Sequence, residues 1–159
     1  MSQYRIVRDY PHSPGKVWRA LTDPALVPLW TATGQGGRPV GFSTQVGTHF
    51  QLVGKPTIGW NGIVQCVVLE VREQSLLRYS WSGEAKDEVT EVSCRLESHA
   101  GGTRLIFEHT GFSGVGGFIV CKILASVRKK MLGVGLPAVL DDIDEQGKLR
   151  PGSKMLRRG

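Results

Sequence analysis

The sequence predicts an α+β domain in which a curved antiparallel sheet of about six strands wraps around a long C-terminal helix, with two short helices after the first strand. Three observations carry this. Alternating strand-like runs follow one another through short turn-rich links, which join antiparallel neighbours. The alternation leaves one apolar and one wet face, so the sheet needs a cover. The last third holds the long amphipathic stretch able to supply it.

The first strand covers residues 3–10, with Tyr4, Ile6 and Tyr10 on one side; Arg8 shares that side. Ser13-Pro14 is a helix start, an N-cap followed by proline, and Val17, Trp18 and Leu21 form the apolar stripe. Thr22-Asp23-Pro24 repeats the signal for a second helix ending near Trp30, which Pro28 should cut short. Residues 31–47 carry five glycines and read as a long loop, of the kind that acts as a lid.

Strand-like runs follow near 48–53, 60–71, 75–82, 88–97 and 103–110. Leu77, Tyr79 and Trp81 share a face, as do Thr90, Val92, Cys94 and Leu96, and then Leu105, Phe107 and His109. The run at 60–71 is apolar on both sides and is not oriented by its pattern. Val120, Ile123, Leu124, Val127, Met131 and Val134 recur at helical spacing. After Pro137 the stripe becomes Leu136, Val139, Leu140 and Ile143, which is rotated, so a kink or break is expected near 133–137.

The 159 residues suit one domain, at 40% hydrophobic and 21% charged. The net charge is +6, but residues 148–159 hold Lys148, Arg150, Lys154, Arg157 and Arg158 and no acid, so the remainder is almost neutral. The organisation expected is a domain over 1–147 and a basic, flexible tail over 148–159. A near-neutral body argues against specific nucleic-acid binding, while the tail suits a weakly held acidic partner. The longest apolar run, 118–127, is too short for a membrane span and includes Lys122. The N-terminus has no basic-then-apolar leader pattern, and three scattered cysteines do not make a disulfide framework, so a cytoplasmic location is expected.

Several groups invite chemistry. His109 on an apolar parity is either a ligand hydrogen-bond partner or acid–base group, or a core histidine satisfied by its surroundings. Tyr79 and Trp81 either line a pocket with their polar tips or are plain core aromatics. Cys94 and His109 lie on neighbouring strands, but no third, orienting group is evident. Cys66, Cys94 and Cys121 lack metal-ligand spacing, so no metal and no cofactor is expected. Residues 111–117 are glycine-rich but lack the phosphate-loop pattern and read as a hinge. Arg128-Lys129-Lys130 reads as a solvated helix end.

The stretch from Pro11 to Pro24, PHSPGKVWRALTDP, followed by Trp30, resembles the opening of START-like, helix-grip proteins of the SRPBCC superfamily. More closely, it resembles the subfamily of homologues of the activator of the ninety-kilodalton heat-shock protein ATPase. Gly59-Trp60-Asn61-Gly62, Leu77-Arg78-Tyr79-Ser80-Trp81, Gly102 to Leu105, His109 to Phe112 and Gly135 to Leu140 match the same pattern. The resemblance implies a deep apolar cavity between sheet and helix. Family members bind lipids, polyketides, flavonoid-like molecules or hormones, and a minority catalyse cyclisation or related steps.

The expected function is therefore binding of a hydrophobic or amphipathic small molecule by a monomer or homodimer. Trp30, Phe50, Tyr79, Trp81, Cys94, Phe107, His109, Val120, Leu124, Val127 and Met131 would line the cavity, with no residue assigned a catalytic role. The alternatives are a cyclase- or hydrolase-type enzyme using His109, or a chaperone-cofactor module.

Overall fold

The structure, a computed structural model, describes residues 1–31, 38–56, 62–83 and 89–153. Residues 32–37 of the expected loop, Gly59, Trp60 and Asn61 of the quoted motif, residues 84–88 and residues 154–159 of the expected tail lie outside the described residues.

The chain runs β1 (Ser2–Tyr10), α1 (Pro14–Thr22), α2 (Val27–Thr31), β2 (Arg38–Val40), β3 (His49–Val53), β4 (Ile63–Arg72), β5 (Leu76–Ser82), β6 (Thr90–His99), β7 (Gly102–Phe112), α3 (Gly114–Lys130), a π-helical turn (Met131–Gly135) and α4 (Leu136–Asp142). The seven strands form one antiparallel sheet in the order β1-β7-β6-β5-β4-β3-β2. This is the predicted architecture with one strand more. The addition, β2, pairs with β3 through Arg38 opposite Val53 and Val40 opposite Gln51, inside the stretch read as loop.

The helix starts behave as their sequence indicates. The Ser13 hydroxyl accepts from the Lys16 amide at 3.2 Å, and Pro14 occupies the first turn, where a missing N–H costs nothing. Pro28 differs from expectation. It falls at the second position of α2, so it opens that helix rather than cutting it short. The β6–β7 turn is a two-residue link in which Ala100 and Gly101 both have positive φ, +49° and +81°. That backbone matches the right-handed strand twist.

Residues 148–153 fold back on the end of α4 instead of leaving the domain. Leu149 bridges to Ile143, and Arg150 N donates to Asp142 O at 2.8 Å.

The rotated apolar stripe in the last helix has a specific cause. The Leu136 amide bonds to the Met131 carbonyl, a five-residue step, so one residue is inserted into the helical ladder. The Tyr10 hydroxyl donates to the Leu132 carbonyl at 2.6 Å and anchors this turn to β1. Gly135 lies against the backbone of Trp30, and a Cβ there would overlap the Trp30 carbonyl oxygen. Gly135→Ala is therefore expected to destabilise the fold by about 1–3 kcal/mol, because backbone yields less readily than a side chain. A urea midpoint equal to that of the parent protein would show that the turn relaxes freely.

Candidate ligand-binding site

The inner face of the sheet is built by register. Tyr4 stands opposite His109, His109 opposite Val92, Val92 opposite Tyr79 and Tyr79 opposite Val68, giving one row across five strands. A neighbouring row runs Thr90, Trp81, Cys66, Phe50. The pattern left β4 unoriented; the structure buries Val64, Cys66 and Val68 on this face. Helix α3 packs on β1 and β7.

The helix does not present the stripe its spacing suggested. Its fully buried residues are Cys121 and Arg128, seven apart and so on one face. Val120 is 47% exposed and Ile123 57% exposed, and Val134 is exposed as well. These three are corrections to the expected inward set. The corresponding error was to send Arg128 to solvent: it is only 8% exposed. α3 is apolar on more than one side, so hydrophobic spacing alone does not select the inward face.

Arg128 lies among neutral groups. Its guanidinium carbon is 4.8 Å from the Phe107 ring centre and 5.9 Å from that of Trp81. Its Nη1 is 3.7 Å from Met131 Sδ. The Tyr4 hydroxyl lies near it, and the Arg128 charge opposes the upward shift that burial gives the Tyr4 phenol. Among the described residues no carboxylate forms an ion pair with it.

The hydrogen bonds around His109 then have one consistent direction. The Trp81 carbonyl can only accept, so the Thr90 hydroxyl spends its one proton there and accepts from His109. The Tyr4 O–H donates to His109 Nδ1 at 3.3 Å. His109 Nε2–H donates to Thr90 Oγ1 at 2.7 Å, and Thr90 O–H donates to the Trp81 carbonyl at 3.2 Å. The imidazole is neutral, with its proton on Nε2. Burial, helped by the Arg128 charge, pushes the His109 pKa down to about 3. Burial pushes the Tyr79 hydroxyl well above its usual value, so it too is neutral.

The other residues expected to line the cavity differ in burial. Phe50, Tyr79, Cys94, Phe107 and Met131 are buried, while Trp81, Leu124 and Val127 are partly buried. Tyr79 meets Phe50 edge-on at 5.4 Å, and Trp81 meets His109 edge-on at 5.2 Å. Trp30 is buried on α2 within the same core, its indole N–H donating to the Ala20 carbonyl at 2.8 Å. Cys94 and His109 form no nucleophile–base pair. Both imidazole nitrogens are occupied, and burial pushes the Cys94 thiol up to about 12. Arg8, on the inward parity of β1, bonds to the Val7 carbonyl at 3.1 Å and lies over Gly133.

Among the described residues no group of three or more His, Cys, Asp or Glu is placed to hold a metal, and no helix is long and apolar enough to cross a membrane. A separate depression of about 370 Å³ is lined by Trp18, Thr44, Val46, Val71 and Glu73, and it shares none of the expected lining residues.

Sequence reasoning missed Arg128, Thr90 and the polar role of Tyr4. Arg128 carried a faint signal: it lies seven residues after Cys121, four after Leu124 and three before Met131, on the same side of the helix as all three.

The sequence profile of the family described as "Activator of Hsp90 ATPase homolog 1-like protein" matches residues 11–117, which includes α1 through β7 and the start of α3. The chain belongs to that family. Comparison with curated protein sequences gives no match. Among solved structures, MLL2253 from Mesorhizobium loti is 25% identical with a TM-score of 0.63, covering 83% of this chain and 95% of that one. CalU16 from Micromonospora echinospora is also 25% identical, with a TM-score of 0.64 over 84% of this chain and 75% of that one. A Rhodobacter sphaeroides protein, 20% identical, has a TM-score of 0.70 over 90% of this chain and 95% of that one, a likeness of fold. The family fold is the helix-grip arrangement expected from the order of elements.

Proposed function

We propose that the protein binds an apolar or amphipathic small molecule between the inner face of the sheet and α3, without converting it. The observation that supports this is the convergence of a few polar groups in an otherwise apolar frame: Tyr4, Tyr79, Thr90, His109 and Arg128 among Phe50, Trp81, Phe107 and Met131. Sites for small molecules have this composition, with apolar area supplying affinity and isolated polar groups fixing orientation. Each square ångström of apolar ligand surface buried contributes about 25 cal/mol before ordering costs.

An acid–base role for His109 is the weaker reading. An imidazole with a pKa of about 3 is a poor base at neutral pH, and its lone pair already accepts from Tyr4.

Native mass spectrometry of the purified protein, set against its denatured mass, tests the proposal. A retained small mass, or after ligand stripping a one-to-one adduct with dodecanoate or 2-naphthoate, is expected. Ligand at a hundred times its dissociation constant should add about 2.7 kcal/mol to stability. No adduct and no thermal shift with any of these would remove the proposal.

The exposed Val115, Phe118, Ile119 and Ile123 on α3 favour a second reading, a surface that docks on a chaperone. It predicts faster ATP turnover by Hsp90 when this protein is added; unchanged turnover removes it.

A further inference from the structure

We propose that Arg128 is an anion-binding group and that the ligand of this site is an amphipathic carboxylate. This rests on the small-molecule reading above and narrows it to one ligand chemistry.

A guanidinium is charged at every pH at which the protein is folded. Burying such a charge without a counter-charge costs several kcal/mol, so buried arginines are ordinarily paired. Arg128 is 8% exposed, and its surroundings supply polarisable faces and neutral oxygen but no formal negative charge among the described residues. The phenol of Tyr4 stays protonated because burial outweighs the help from Arg128. The relay beyond it, through His109 and Thr90, ends on the Trp81 carbonyl and brings no charge either. Keeping His109 neutral avoids placing a second cation beside the first.

The geometry of the remaining donors selects the ligand. A guanidinium carries five N–H groups in a planar fork. The Met131 sulfur lies against one arm of that fork, 3.7 Å from Nη1. A carboxylate presents two oxygens at the spacing the fork reads bidentately. Trp81 presents its ring to the guanidinium and is partly exposed, and Leu124 and Val127, partly exposed on the same helix, are apolar. A ligand with a carboxylate head and an apolar body matches both halves of this environment.

Two matched pairs test the proposal by titration calorimetry with the full chain: dodecanoate against 1-dodecanol, and 2-naphthoate against 2-naphthalenemethanol. The acid of each pair is expected to bind at least about 10-fold more tightly than its alcohol, the worth of one charge-assisted contact. In Arg128→Met the preference should vanish, the acids losing at least about 10-fold more affinity than the alcohols; Arg128→Lys should recover only part of it, because an ammonium lacks the fork. Equal affinities of acid and alcohol in the parent protein would overturn the carboxylate proposal and leave small-molecule binding standing. So would a preference that survives in Arg128→Met, which would assign it to the basic residues at 148–159. Failure of all four probes to bind would remove both readings together. The comparison within the parent protein needs no variant to fold.

Discussion

Arg128→Met is expected to make the ligand-free protein more stable, by about 1–3 kcal/mol. Most changes at a buried position destabilise, so the sign is informative. The gain is the relief of a desolvated, uncompensated charge, worth several kcal/mol. Against it stand the lost contacts of the guanidinium with Phe107 and Trp81, about 1–2 kcal/mol together. Methionine is unbranched and adaptable, so it can follow the path of the arginine stem beside Met131. Urea unfolding of stripped protein reads the result. A raised midpoint together with lost carboxylate preference would mark Arg128 as a group retained for binding at a cost in stability. A lowered midpoint would mean that neutral neighbours already compensate the charge.

Acidification is expected to unfold the protein through His109. The folded pKa is about 3, below the ordinary histidine value of 6.5. Between those two values the unfolded chain holds a proton that the folded one does not, so stability falls as pH drops. The loss is about 2 kcal/mol at pH 5 and about 3 kcal/mol at pH 4, at 1.36 kcal/mol per pH unit. It is absent above about pH 7, where both states are neutral. Asp9 and Asp144 also have lowered pKa values, Asp9 through Arg104 and Asp144 through backbone amides, so their contributions are lost only further down, across the carboxylate range. His109→Gln keeps polar contacts without titrating, and it should remove most of the slope between pH 6.5 and pH 4.5. An unchanged slope would assign the acid sensitivity elsewhere.

The inward faces of β5, β6 and β7 were legible because these strands alternate cleanly. Leu77, Tyr79 and Trp81, then Val92, Cys94 and Leu96, then Leu105 and Phe107 each face inward in the structure as their spacing indicates. Strand β4 is apolar on both faces, so register with β3 and β5, not pattern, decides that Cys66 points in. Strand β2 is three residues with a central proline in a glycine-rich stretch, too short to show a period. The helix misled for a different reason. Arg128-Lys129-Lys130 looks like a solvated helix end, and two of its residues are. Only packing on β1 and β7, with the inserted residue of the π-turn, fixes the rotation that buries Arg128 and leaves Ile123 outside. Tyr79, Trp81 and His109 were found by parity; the charge that gives their surroundings a chemical preference was not.

The most direct test is carbon NMR of dodecanoate labelled at its carboxyl carbon, bound to the protein and followed from pH 7 to pH 4. A carboxylate resting on a buried guanidinium is stabilised in its charged form. The bound resonance is expected to keep the ionised chemical shift well below the pH at which the free acid titrates, and to lose that protection in Arg128→Met, which removes the charge. A bound resonance that titrates with the free acid, or acid that binds only once protonated, would contradict the assignment of Arg128 as the anion-binding group.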